Sequence, residues 1–249
     1  MLNKKYYKIS LIISLLLYTF VMEFVGIDKF SLLDYDKQIS VVLFFPICNF
    51  RCPFCHNGDS VLSSTTYIPF EEILEYLKKR RNLVDAVVIS GGEPTLMPEL
   101  IDRIKQIKEL GYKIKLDTNG TKPEVIKELL DLKLLDYIAM DIKNDLDNYA
   151  LISGCHNVDT NKILESIKLI ENSDIDYEFR TTLVKEFHDI ENIKRMAILL
   201  KGAKKLFLQK FIDREGVIKK GLHSISEEEA LKFKDILIKD IDEVNLRGY

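Results

Sequence analysis

The sequence predicts an α/β fold, an open partial (βα)6 barrel in one large domain, and three observations predict it. From Ile39 onward, short apolar runs rich in β-branched and aromatic residues alternate with amphipathic helical patterns, which is the rhythm of parallel βα units. Six units fit, too few to close an eight-stranded barrel, so a right-handed progression of parallel strands leaves it open. The polar clusters all fall where a strand ends, the edge on which barrel active sites are assembled.

The first strand is Val41 to Phe45, a continuous apolar run suited to a strand covered on both faces. Its helix begins near Pro69 and puts Phe70, Ile73, Leu74 and Leu77 on one face. The second strand, Asp85 to Ser90, leads to a helix carrying Leu100, Ile101, Ile104 and Ile107 and ended by Gly111. The third, Tyr112 to Asp117, precedes a helix entered through Thr121 and Glu124 in capping-box spacing. The fourth, Tyr137 to Ile142, is followed by Ile163, Leu164, Ile167 and Ile170 at helical spacing. The fifth, Tyr177 to Val184, is followed by a helix through Ile193, Met196, Ala197 and Leu200 that stops at Gly202. The sixth is Leu206 to Phe211. A last helix opens on Ser226, with Glu229 in capping-box position, and is expected to run to about Asp242. The final Arg247, Gly248 and Tyr249 read as a frayed terminus.

A chain of 249 residues with 47% hydrophobic and 30% charged residues is globular in composition. Its net charge of -3 carries no nucleic-acid footprint. The run Lys78-Lys79-Arg80-Arg81 closes a predicted helix, where basic residues complement the helix dipole. Residues 1–21 stand apart: Lys4, Lys5 and Lys8 precede an apolar run from Ile9 to Val21, resembling a signal peptide without a cleavage site. The run falls short of the ~20 apolar residues that a comfortable membrane span needs. We read it as an apolar extension from a start placed too far upstream, with a membrane anchor as the alternative. Residues 22–249 then form the working domain, expected in the cytoplasm.

Cys48, Cys52 and Cys55 lie within eight residues. Three thiolates on one tight loop can hold a cubic iron–sulfur cluster by three of its irons, leaving the fourth without a protein ligand. Electron-transfer clusters are usually held by four cysteines, and structural zinc is closed by four ligands. A site one ligand short is built to bind something exogenous. Zinc held by these cysteines with His56 or Cys155 is the competing reading, although zinc ligands usually come as two separated pairs. Four cysteines in a chain of this length do not make a disulfide framework, and Cys155 reads as an ordinary free thiol. Of the histidines, His56 is placed to hydrogen-bond near the cluster, and His156, His188 and His223 read as solvent-exposed.

The spacing Cys-x3-Cys-x2-Cys with Phe54 before the last cysteine resembles the radical S-adenosylmethionine (radical SAM) superfamily. The flanking text is similar to the activating proteins of anaerobic ribonucleoside-triphosphate reductases: Phe30 to Tyr35, His56-Asn57, Gly91-Gly92-Glu93-Pro94, Asp117-Thr118-Asn119-Gly120, Met140 to Lys143, and Glu178 to Thr182. That resemblance implies the open partial barrel, a 4Fe-4S cluster on Cys48, Cys52 and Cys55, and S-adenosylmethionine chelating the open iron. It places Asn57, Gly91, Gly92, Glu93, Asp117, Asn119, Asp141 and Lys143 around the cofactor, with Glu93 on its amino group. The two glycines would let backbone approach the ligand. Arg180 and Gln209 are added from their strands as contacts to the carboxylate and the adenosine. Asp141 with Lys143 has a surface ion pair as its alternative reading.

The activity implied is reductive cleavage of the cofactor to a 5′-deoxyadenosyl radical that takes a hydrogen from a glycine Cα of a partner reductase. A flavodoxin or ferredoxin type protein would supply the electron. Asp36 and Lys37 stand where that subgroup usually has proline and glycine, which bears on the partner and not on the cofactor. A radical enzyme acting on a small molecule or on another protein shares every cofactor residue. A zinc-stabilised or electron-transfer binding protein is the non-enzymatic alternative.

Overall fold

The computed structural model describes residues 23–58 and 66–249; the expectation for residues 1–21 lies outside them. Eight strands form one sheet in strictly sequential order. These are β1 (Gly26–Ser31), β2 (Ser40–Phe45), β3 (Ala86–Gly91), β4 (Lys113–Thr118), β5 (Tyr137–Asp141), β6 (Asp176–Leu183), β7 (Lys205–Lys210) and β8 (Glu243–Arg247). β1 pairs antiparallel with β2, and every later pair is parallel. β1 and β8 are not paired with each other, so the barrel is open along one side.

The helices are α1 (Phe70–Arg80), α2 (Leu100–Glu109), α3 (Pro123–Asp131), α4 (Tyr149–Ser153), α5 (Thr160–Glu171), α6 (Ile190–Leu199) and α7 (Glu227–Leu237), with a 3-10 turn at Pro94–Leu96. Strand residues alternate between two environments, as the pleat requires. Val41, Leu43, Val87, Ile89, Ile114, Leu116, Ile138, Met140 and Phe179 are fully buried against the helices and build the main core. Their neighbours Ser90, Asp117, Asp141, Arg180, Thr182 and Gln209 face the barrel interior, where they line a cavity. One face of each strand thus supplies stability and the other supplies chemistry.

The predicted open α/β barrel is present, with several corrections. β1 escaped notice because its sequence, with three exposed positions, lacks an apolar run. The last helix ends at Leu237 and not near Asp242; Val244 and Leu246 alternate with polar residues at period two and form β8 instead. Arg247 is therefore not frayed: its guanidinium lies 3.8 Å from the Phe207 ring centroid and 3.4 Å from Glu178. Thr121 caps nothing. α3 starts at Pro123, whose missing N–H and fixed φ suit a first helical position, and Thr121 donates its hydroxyl to Asn119. The short helix α4 was not anticipated. His188 is buried, not exposed, and its Nε2 lies 3.1 Å from the carbonyl of Lys143.

Among the described residues no helix is long and apolar enough to cross a membrane.

Candidate active site

A cavity of about 660 Å³ opens at the C-terminal ends of the strands, within the ~300–1,000 Å³ range of cofactor sites. It gathers Cys48, Cys52, Cys55, Asn57, Gly91, Gly92, Asp117, Asn119, Asp141, Lys143, Arg180 and Gln209 on one surface. Of the residues singled out in the sequence, Glu93 alone does not line it. A roomier crevice of about 920 Å³ between α3 and α5 is helix surface without a thiol.

The cysteine loop follows β2 directly. It is tied down by its own backbone, with Cys55 N–H donating to Cys52 O at 3.0 Å, and by the guanidinium of Arg51, which donates to the carbonyls of Cys48 and Phe50 at 2.6 and 2.7 Å. Phe54 and Phe50 turn inward as apolar anchors, Phe50 edge-on to Tyr149. On the far side the β7–α7 loop grips it: His56 stacks on Phe211, its Nε2 lies 3.0 Å from Ile212 O, and Lys219 N–H donates to Pro53 O.

Burial, with Glu93 close by, pushes the Cys48 thiol up to about 12, and burial pushes the Cys52 thiol up to about 11. Thiolates in so dry a place persist when a bound cation compensates them. Among the described residues, however, no three His, Cys, Asp or Glu side chains meet tightly enough to hold a single metal ion.

A ladder of alternating charge starts beside the cysteine loop, where Lys143 Nζ lies 5.9 Å from the Phe54 ring centroid. Lys143 donates to Asp141 at 3.0 Å, and Arg180 donates through Nε to the other oxygen of Asp141 at 2.9 Å. The guanidinium also reaches Asp117 at 3.2 Å, and Asp117 accepts from Ser90. Lys115 continues the ladder at 3.6 Å from Asp117 and 3.8 Å from Glu178, beside Arg247. Burial alone would raise the Asp141 carboxyl, but Arg180 and Lys143 overcome it and hold it down at about 2. The same balance, with Arg180 and Lys115 prevailing, keeps Asp117 below its ordinary value. Asp141 and Lys143 do form an ion pair, but in the cavity wall and not on the surface as the alternative reading had it.

Asp117 Oδ1 is buried without a hydrogen bond, and its counter-charge is the Lys115 ammonium 3.6 Å away.

Glu93 lies behind the cavity wall and does not line it. It is fully buried, and its carboxylate accepts from Thr95 N–H at 3.1 Å, Thr95 Oγ1 at 2.5 Å, Thr118 Oγ1 at 2.8 Å and Asn119 N–H at 2.5 Å. It therefore braces the β3 and β4 loops, which present Gly92, Thr118 and Asn119 to the cavity.

The glycines before it serve a similar end. A Cβ on Gly91, at φ +105°, would lie 2.4 Å from Phe45 N, and one on Gly92 would lie 2.2 Å from Ile47 O. Close approach to the end of β2 requires glycine here. The Gly91 carbonyl accepts from Asn57 Nδ2 at 2.8 Å. Sequence reasoning missed Ser90 and Thr182 as lining residues, although each lies two positions along its strand from a residue on the same face.

These residues fit a three-cysteine cluster and a charged, amino-acid-bearing cofactor: three thiols on one loop, and fixed charges of both signs, Asp141, Lys143 and Arg180, lining the same cavity. The comparisons with known proteins agree. The radical SAM superfamily model matches residues 42–200, and the chain belongs to that superfamily. It is therefore an enzyme whose working groups are a 4Fe-4S cluster and S-adenosylmethionine.

A Methanocaldococcus jannaschii protein with the provisional name glycyl-radical enzyme activating enzyme is 37% identical over 231 residues, 89% of this chain and 94% of that one. The pyruvate formate-lyase-activating enzyme of Clostridium pasteurianum is 33% identical over 71% of this chain and 75% of its own. In fold, a radical SAM methyltransferase from Sphaerobacter thermophilus superposes with a TM-score of 0.68 at 16% identity, over 86% of this chain and 67% of that one.

Proposed function

We propose that this protein is an activating enzyme that installs a glycyl radical on an anaerobic ribonucleoside-triphosphate reductase. The observation that supports an activating enzyme is the 37% identity along 89% of the chain to a protein named as a glycyl-radical enzyme activating enzyme, while the choice of a reductase as its target rests on the sequence resemblance of the flanking segments. When bound, the cluster and S-adenosylmethionine supply an electron and a carbon radical able to take hydrogen from a glycine Cα.

The chain's own residues do the placing. Cys48, Cys52 and Cys55 hold the cluster. Asp117 and Asp141 would receive the cofactor's ammonium, and Arg180 and Lys143 would receive its carboxylate. Asn57 and Asn119 fix the loops on either side, and Gln209 offers an amide to the adenosine. Glu93 holds the β3 and β4 ends at a fixed separation and touches no cofactor. Of the segments that resemble the reductase activases, Phe30 to Tyr35 spans the end of the edge strand β1 and the turn after it, and Glu178 to Thr182 lies in β6 with Arg180 and Thr182 lining the cavity. A flavodoxin or ferredoxin type donor in the cytoplasm supplies the electron.

The test is anaerobic incubation with the reductase, S-adenosylmethionine and a one-electron reductant, followed by electron paramagnetic resonance. A doublet that travels with the reductase on separation is expected. Cofactor cleavage without that doublet, accompanied by a modified small molecule, would reassign the enzyme to small-molecule chemistry.

A further inference from the structure

α4 and the corner that ends it form a second support for the cluster loop, besides the β7–α7 loop. The carbonyl of Ser153, in a residue with no exposed surface, accepts from Arg51 N–H at 2.8 Å. The thiol sulfur of Cys52 lies 3.7 Å from the same oxygen. One residue on, Gly154 turns the chain in the left-handed region at φ +62°, and a Cβ there would lie 2.3 Å from Arg51 O and 2.7 Å from its carbonyl carbon. No Cβ tolerates that distance to backbone, so one of the two segments would have to move.

At the other end of α4, Tyr149 packs against Phe50 with ring centroids 6.3 Å apart. Its hydroxyl donates to Asp141 O at 3.3 Å and accepts from Lys143 N–H at 3.4 Å. The one short helix therefore touches both the loop that carries the thiols and the strand end that carries Asp141 and Lys143.

We infer that Gly154 is a positioning residue for the cluster: by letting the Ser153–Gly154 corner abut Arg51, it sets the height of the Cys52 thiol relative to the end of β5. The corner does this by contact and leaves the barrel's stability to the strands and the outer helices. The inference rests on the family's cluster and not on the identity of the radical acceptor.

Asparagine visits the left-handed region readily but brings a Cβ, so Gly154→Asn separates the collision from backbone strain. Gly202→Asn is the matched control, because Gly202 has φ +90° and nothing within 4 Å of its Cβ position. Both variants and the parent are purified anaerobically and reconstituted with iron and sulfide, then compared by iron content, reduced-cluster paramagnetic resonance and thermal melting of the apoprotein.

The parent and Gly202→Asn should each hold about four irons, while Gly154→Asn should fall below about one and still melt cooperatively within a few degrees of Gly202→Asn. Full iron and an unshifted cluster spectrum in Gly154→Asn would overturn the inference. So would equal iron loss in Gly202→Asn, or loss of the global fold in Gly154→Asn, since the corner would then serve the barrel. A parent without iron would instead strike down the cluster assignment itself.

Discussion

Replacing Glu93 by glutamine swaps one carboxylate oxygen for an amide NH2 in a place that offers only donors. Asn119 and Thr95 present backbone N–H groups, and Thr118 Oγ1 already accepts from Gly120 N–H, so its proton points at Glu93. With the remaining oxygen kept toward Thr95 and Thr118, the new amide faces Asn119 N–H, donor against donor. The loss is one charge-assisted hydrogen bond plus a buried N–H left unsatisfied, about 3 kcal/mol. For a domain of this size that corresponds to a fall in melting temperature of about 6–12 °C. Differential scanning calorimetry of the apoprotein, which involves neither cluster nor cofactor, measures it. Glu93→Ala, which removes all four contacts, should cost more, on the order of 3–5 kcal/mol. A melting temperature unchanged in Glu93→Gln, together with cofactor binding weakened about tenfold or more, a loss of ~1.4 kcal/mol, would refute the bracing role and return Glu93 to direct contact with the ligand.

Three further outcomes follow from the same geometry. Alanine at Cys48, Cys52 or Cys55 should abolish the reconstituted cluster spectrum, whereas Cys155→Ala should leave it intact; visible absorbance and iron content check both. Gly92→Ala should be poorly tolerated even in the apoprotein, because its Cβ would meet Ile47 O at 2.2 Å, and expression with melting analysis would register the loss. Asp141, held at about 2 in the folded protein against about 3.9 unfolded, contributes stability that is present above pH ~4 and lost as pH falls through ~2. The stability gap between parent and Asp141→Asn, on the order of 2 kcal/mol at neutral pH, should close across that window in urea titrations.

The βα rhythm was legible because burial on both strand faces leaves continuous apolar runs, as in Val41–Phe45. Two strands escaped for opposite reasons. β1 is an edge strand whose exposed residues need no apolar pattern, and β8 has only Val244 and Leu246 as its apolar face, directly after a helix whose periodicity Ile241 prolongs. Of the candidate site, the cysteine loop and the strand-end polar residues could be placed from order alone, since parallel strands deliver their C-terminal ends to one edge.

Direction could not be read in the same way. Nothing in Gly91-Gly92-Glu93 says that the glutamate turns away from the cavity toward Thr95, Thr118 and Asn119, or that the glycines are needed by the end of β2. α4 was invisible because five residues carry too little periodicity. Its contribution, a carbonyl and a glycine against Arg51, lies in backbone that side-chain patterns do not report.

The most direct measurement of the central claim follows the hydrogen atom. The reductase is produced with glycine deuterated at Cα and incubated anaerobically with this enzyme, unlabelled S-adenosylmethionine and reductant, and the 5′-deoxyadenosine formed is examined by mass spectrometry. An activating enzyme must yield deoxyadenosine one mass unit heavier, in step with a radical on the reductase whose doublet collapses on deuteration. Unlabelled deoxyadenosine, formed at the same rate with or without the reductase, would contradict the account.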